Sequence, residues 1–522
     1  MTSVEKLPHC RGVRRSFTRV VSLTLVVTAL AKGAALLPGY SIDDYQPLLH
    51  EAPSFSLLLL QKGGRGRFGS VILNWCLHLL QLDPAHSRFF FTCCSIVVSA
   101  LFAALVVRYW NLEKHGWLAA AMACIAANHP FTAEIYTFRV ALGIGIFPFS
   151  ILSLLLIPRR WSPRLVLAGS ALFAVALSFY QMVLPYGLMI VLVGAAAWLT
   201  RYLVLGNASG WPERVVSLLS MRRLTRHRNT ALLGCILFGS ALYASLTIAL
   251  ALALRVRLMP RTQTLSLHQL GERARMVIEE LKLCLFEPEP LLSHLTQGML
   301  LLVLLSAVAG LLWRTRSWFR LPRPSLLVLA VVALLFASLI WSLGALLFLA
   351  EFWPSPRVMA HVGIFWAGVL AIAYFGLGRR ARPALAGLAL LIVLSFIGAN
   401  NRVFDEQLRL NRRDAAKANR IVARLEAMPG FLAVRFVAID GVSWTHPLRL
   451  GTLDHDLNVS AFGAEQAKAD ILAEISGYDL KLAEEDAQIA EATAYCRGQE
   501  PWPGPRSVTI QGGLAIVCLG QG

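Results

Sequence analysis

The stretch SIDDYQPLLH, Ser41 to His50, sets two adjacent carboxylates, Asp43 and Asp44, directly after the first long apolar run of the chain. A carboxylate so placed can take the proton of an attacking hydroxyl. Two side by side repel, which raises the proton affinity of one and leaves the other to orient a substrate. Other polar groups gather in neighbouring segments: Arg65 and Arg67 in GGRGRFG, then Asn128, His129, Glu134, Tyr136 and Arg139 in NHPFTAEIYTFR. Tyr180 and Gln181 follow in SFYQ, and Glu351 and Arg357 in AEFWPSPR. The set holds a base and several anion binders, since a guanidinium grips two oxygens of a phosphate and offsets the charge it gains. Each member also has a plainer reading. An acidic pair beyond a helix can be a solvated cap, loop arginines can meet lipid headgroups, and Tyr-Gln in an apolar segment can bond a neighbouring helix.

The elements that must position these groups are membrane helices. The chain has 522 residues, of which 56% are hydrophobic and 15% charged, and its mean hydropathy is +0.60, which excludes an ordinary soluble domain. A net charge of +19 would suggest nucleic acid in a soluble protein. Here the Lys and Arg fall in six short clusters between apolar runs, which is an orientation signal, and no nucleic-acid partner is expected. Apolar runs near residues 20–38, 88–107, 117–129, 140–157, 165–180, 183–200, 231–253, 295–312, 325–349, 358–377 and 384–400 predict about eleven spans. AKGAALLPGY lacks a small-x-small cleavage site, so the first run reads as a retained helix. Basic clusters on one side place the N-terminus in the cytoplasm, and the acid-bearing loops and the C-terminus on the outer, periplasmic face of a bacterial inner membrane.

Two outer segments hold more than a turn. Arg67, Ser70, Asn74, His78 and Gln81 recur at three- and four-residue spacing, predicting an interfacial helix over about 68–82 with a polar stripe. A second surface helix is expected over about 265–290. The fold class is therefore a polytopic α-helical membrane core, residues 1–400, with a small α/β domain outside the membrane, residues 401–522. In that domain SVTIQGGLAIVCLG reads as a hairpin turning at Gly512 and Gly513. None of the nine cysteines shows metal-ligand spacing, and Cys496 and Cys518 are either a disulfide or two thiols. Trp444 and Trp502 are either stacking platforms for sugar rings or core residues.

In order along the chain, DDYQPLL, GRGRFG, NHPF with EIYTFR, SFYQ and DAAKANRIVARLEAMPG resemble the membrane glucosyltransferases of the O-antigen serotype-converting type. The family commonly has an acidic residue after the arginine of this EIYTFR-like segment, whereas Val140 follows Arg139 here. The resemblance implies a polytopic transferase of the GT-C-like class, a polyprenyl-phosphate-linked sugar as donor, and a lipopolysaccharide or other surface glycan as acceptor. It implies a base in the first outer loop, for which Asp43 stands ahead of Asp44. Arg67, Arg139 and Arg357, in that order, would bind the donor phosphate, and Arg65, Asn74, His78, Glu134, Tyr136, Tyr180, Gln181 and Glu351 the rest of the substrates. Two aspartates and a phosphate can hold Mg²⁺ with several waters, yet no dedicated ligand set stands out, and the reading uses no cofactor. Rival readings are a flippase of lipid-linked sugars, an O-antigen polymerase and a structural scaffold. A transporter would show internal repeats and mid-helix charges, and neither is evident in the sequence.

Overall fold

The computed structural model describes residues 9–37, 39–45, 55–56, 59, 66–82, 87–158, 161–205, 228–256, 266–286, 290–315, 322–341, 343–347, 351–442 and 450–520. Arg65, Trp444 and residues 46–50 lie outside that set.

The chain opens on helix α1, His9–Lys32, followed by a short 3-10 turn, Gly33–Leu36. Helices α2, Phe68–Leu79, α3, Arg88–Tyr109, α4, Trp117–Asn128, α5, Ala133–Thr137, and α6, Arg139–Leu156, come next. They are followed by α7, Pro163–Phe179, α8, Val183–Leu205, α9, Arg228–Leu254, α10, Leu270–Phe286, α11, His294–Thr315, and α12, Pro322–Trp341. Helices α13, Pro356–Met359, α14, Val362–Gly376, and α15, Arg382–Glu426, complete the bundle. Among the described residues seven helices are long and apolar enough to cross a membrane, which makes this a multi-pass helical membrane protein. Four further predicted runs are helical over 12 to 20 residues, as α4, α6, α7 and α12.

Burial ranks the helices from centre to rim. The segment Pro356–Gly376 is 89% buried and Arg228–Leu254 only 22%. The first can therefore afford small residues all round, and Gly376 lies backbone to backbone against Gly310 of α11. The second presents Phe238, Leu242, Ile248 and Leu252 outward, as a face turned to lipid requires. Helix α2 is amphipathic in the sense opposite to a water-facing helix. It buries Ser70, Leu73 and Leu77 and exposes Ile72, Trp75 and Leu79, so the predicted polar stripe is split, with Asn74 half-buried and His78 exposed.

The boundary expected at residue 400 falls inside one continuous helix. No proline interrupts the chain between Pro383 and Pro429, so the apolar half of α15 runs on into its charged half over 45 residues. Beyond it lies a four-stranded sheet of order β2-β1-β4-β3, formed by β1, Phe436–Gly441, β2, Lys481–Leu482, β3, Val508–Gln511, and β4, Leu514–Gly520. Strand β1 pairs in parallel with β2 and β4, while β3 and β4 form the hairpin. Gly512 and Gly513 both have positive φ, the backbone of a two-residue turn that side chains resist. Helices α16, Glu465–Ser476, and α17, Asp486–Cys496, make the crossover, and a Cys496–Cys518 disulfide with Cα atoms 5.4 Å apart ties α17 to β4.

Candidate active site

The aspartate turn is held by four separate devices. The backbone N–H of Tyr40 donates to Asn411 Oδ1 at 2.7 Å, and Asn411 Nδ2 returns a bond to the Tyr40 carbonyl at 2.9 Å, which fastens the turn to α15. Asp44 is fully buried, and its Oδ2 accepts from the backbone N–H and hydroxyl of Ser41 at 2.8 and 2.9 Å. Ile42 and Tyr45 pack in one apolar cluster with Phe138. The rings of Tyr40 and Tyr45 lie 5.6 Å apart. Asp43, between these anchors, is exposed. Two carboxylates adjacent in sequence are thus separated into a structural acid and one facing outward.

Beside Phe138 lies the charged centre. Arg357 stands 4.5 Å over the Phe138 ring and donates, from both its backbone N–H and its guanidinium, to the two carboxylate oxygens of Glu134. Its second Nη donates to Asp456 Oδ2 at 2.8 Å. Arg357 is therefore enclosed by two carboxyl groups, and an arginine paired with Asp456 and bonded to Glu134 offers less net charge to a phosphate than an unpaired one. Glu134 is wholly buried, and burial, reinforced by Asp456 and Asp454, pushes its carboxyl up to about 7 against the opposing pull of Arg357. The hydroxyl of Ser355, also buried, has no hydrogen-bond partner among the described residues.

Asp456 comes from the sheet domain, and the long helix explains how it arrives. Glu406 of α15 accepts from the backbone N–H and hydroxyl of Thr452 at 2.8 and 2.6 Å, and Asn458 donates to the Val403 carbonyl at 3.1 Å. Eight residues along α15, Asp414 accepts from Ser460 and the N–H of Ala461, both at 2.8 Å. Between these anchors the chain makes a tight turn in which Asp454 and Leu457 exchange backbone bonds and His455 takes a left-handed conformation, φ 49°. Such strain persists only where surrounding contacts hold it. The turn sets His455 edge-on to Trp353 at 4.8 Å, and the His455 ring bonds Asp454 at 2.6 Å, which raises its proton affinity.

A second arginine lies across the site. Arg67 precedes α2 and stands 5.0 Å over the Tyr180 ring, while Gln181 donates to Tyr243, whose hydroxyl donates to the Gly66 carbonyl. Gly66 has φ +69° and no room for a Cβ beside that hydroxyl, so glycine is required where the chain turns towards Arg67. Tyr136 is buried, with its hydroxyl 2.9 Å from Ser99. Glu351 is half-buried in the segment leading to Arg357.

The structure thus brings together Glu134, Arg357 and Asp456, sets Asp43 and Asp44 on a turn whose Ile42 and Tyr45 belong to the same apolar cluster as Phe138, and places Arg67 over Tyr180. The side chains of Asn74 and His78 of α2 make no hydrogen bond or ion pair among the described residues, and the side chain of Arg139, which opens α6, lies outside them. Trp502 is no open sugar platform: Arg424 and Arg420 cover it at 4.5 and 5.6 Å, and it packs on the core of the sheet domain. Sequence reasoning missed Asp454, His455 and Asp456, although the acid-His-acid run LDHDLN in a soluble tail was a usable signal. It also missed Arg273 of α10, buried against the Phe352 ring at 4.8 Å, and Lys32 inside the bundle. Among the described residues no three His, Cys, Asp or Glu side chains gather as a metal site would require. Comparison of the chain with family models, with curated proteins and with solved structures finds no match.

Proposed function

We propose that the protein is a membrane glycosyltransferase that moves a hexose, glucose by the family resemblance, from a polyprenyl-phosphate-linked donor to a lipopolysaccharide or other surface glycan. In this reading the sheet-domain end of the bundle faces the periplasm. The observation that carries the proposal is the division of labour between the paired aspartates. Asp44 is buried and accepts from Ser41, whereas Asp43 is exposed on the same turn, which Asn411 fastens to α15. A base needs a solvent-accessible carboxylate held in place, and Asp43 meets both conditions.

Asp43 takes the proton of the acceptor hydroxyl as that oxygen attacks the anomeric carbon, and the bond to the lipid phosphate breaks with its electron pair leaving on phosphate. Asp44 keeps the turn in shape. Arg357 joins bundle and sheet domain through Glu134 and Asp456, and Arg67 on Tyr180 guides the anionic substrate at the rim. Trp353, 38% exposed beside His455, is the aromatic surface available to a sugar ring.

The test is mass spectrometry of the surface polysaccharide repeat from cells lacking the protein, expressing it, and expressing Asp43→Asn or Asp44→Asn at equal membrane abundance. One added hexose per repeat with the wild type, lost with Asp43→Asn by a hundredfold or more, is the expected result. A change in chain length or amount without a new hexose would favour a polymerase or flippase and end this reading.

A further inference from the structure

The end of α15 remote from the sheet domain carries positive charge that the chain does not balance. Arg379 and Arg380, both exposed, sit in the 3-10 turn Arg379–Ala381, and Arg382 opens the helix. Arg201 of α8 and the loop between α3 and α4, with Lys114 and His115, meet them there. Burial, then the charges of Arg201 and Arg382, lower the proton affinity of His115 against the pull of Glu113, so both arginines lie within electrostatic reach of that ring. None of Lys114, Arg201, Arg379, Arg380 and Arg382 forms an ion pair among the described residues. Glu113 itself is buried, and its Oε2 accepts no bond there. The start of α15 adds to the surplus. Its N-cap, Ala381, has no side chain to cap the helix, and its first turn holds no acid, so arginines stand where a helix ordinarily places a carboxylate. Such a concentration of like charge favours an anion from outside the chain.

Arg382 shows how an anion would be held. Its guanidinium lies 4.2 Å over the Tyr374 ring, and one Nη donates to the Tyr374 hydroxyl at 3.4 Å. The face is thus spent on tyrosine, while the edge formed by Nε and the other Nη carries no bond among the described residues, and Nε is buried. That edge is the one that grips two oxygens of a phosphate, and a buried donor without an acceptor is costly to leave unmet. The aromatic surroundings say where the phosphate comes from. Tyr374 packs on His115 at 5.6 Å and on Trp117 at 5.8 Å, and Trp117, which opens α4, is 38% exposed. Tyrosine and tryptophan at the ends of apolar helices occupy the headgroup level of a bilayer.

We propose that Arg382, with Arg379 and Arg380 beside it, binds the headgroup phosphate of an anionic phospholipid. The inference is independent of the transferase reading. Basic charge at the rim orients a membrane protein without holding any one lipid, whereas the unfilled edge of Arg382 makes a site. A headgroup gripped there anchors one end of the helix whose other half carries Glu406 and Asp414 to the sheet domain.

The test is native mass spectrometry of the full-length detergent-solubilised protein titrated with phosphatidylglycerol or with phosphatidylcholine of the same acyl chains. Wild type should prefer phosphatidylglycerol. Arg382→Gln should lower that preference about fivefold, the value of one cation at an anionic lipid surface, and the double variant Arg379→Gln/Arg380→Gln should lower it by about fivefold for each arginine lost. Arg164→Gln, which removes an exposed arginine at the start of α7, should leave it unchanged. Should Arg382→Gln fail to fold, the double variant decides, because both of its side chains are exposed. No preference in the wild type, or a preference preserved in the variants, overturns the proposal. An equal loss in Arg164→Gln also overturns it, since rim charge in general would then be responsible. Glycerol 1-phosphate displacing phosphatidylglycerol at equal concentration would show a site for free anions and refute the lipid assignment.

Discussion

Glu134 makes the strongest quantitative demand on the structure. Its carboxyl moves from an ordinary 4.5 to about 7 because burial penalises the charged form more than Arg357 favours it. A raised acid stabilises the fold fully below its unfolded value and loses that contribution as pH rises through the folded value. Between about pH 4.5 and 7 the stability of the protein should therefore fall, by about 1.4 kcal/mol per pH unit across a shift of about 2.5 units, or roughly 3 kcal/mol in all. Glu134→Gln preserves the shape and one acceptor oxygen but cannot titrate, so this slope should vanish in the variant. The unfolding midpoints of wild type and Glu134→Gln in mild detergent at pH 5 and pH 8 give the comparison. His455, whose proton affinity Asp454 raises, adds a slope of the same sign, and because the Glu134 charge contributes to that rise the His455 slope shrinks in the variant, which enlarges the difference in the same direction. Arg357→Ala removes the group that opposes the burial effect, so its stability should go on falling above pH 7, where the wild type levels off. Identical pH dependence in wild type and Glu134→Gln would refute the reasoning.

Gly66→Ala meets both the positive φ and the Tyr243 hydroxyl, and should lower stability by about 1–2 kcal/mol while disturbing the turn before Arg67. A thermal shift together with a raised KM for the anionic donor would register it, and wild-type behaviour in both would show that the turn has slack. Replacing Cys496 and Cys518 by Ala opens a closure of 22 residues and should cost the sheet domain roughly 3 kcal/mol by chain entropy. Limited proteolysis of the 486–520 region, faster in the variant than in the wild type, is the expected sign.

Much of the molecule is readable from local pattern. Hydropathy runs locate the helices because a bilayer or a bundle core selects each segment by its own composition. The Gly512-Gly513 hairpin follows from turn chemistry confined to two residues. Asp43 and Asp44 stand out for the same reason, as adjacent charges at the end of an apolar run. Other features are not local. Arg357 reads as a phosphate binder until Glu134, 223 residues earlier, and Asp456, 99 residues later, are seen to enclose it. Lys32 looks like a helix-end lysine reaching for water until Asn400, 368 residues away, closes over it. The environments of the two aspartates also part only in three dimensions, because Asp44 is buried with its carboxylate bonded to Ser41 while Asp43 is exposed. Sequence by itself determined the helical membrane architecture, the sheet-forming tail and the place of the paired acids, since these depend on periodicity and composition within a few turns of chain. Tertiary structure alone decided which charges are paired, which of the two adjacent acids is exposed and that Lys32 lies buried, because electrostatic partnership depends on distance through space, which separation along the chain does not reveal.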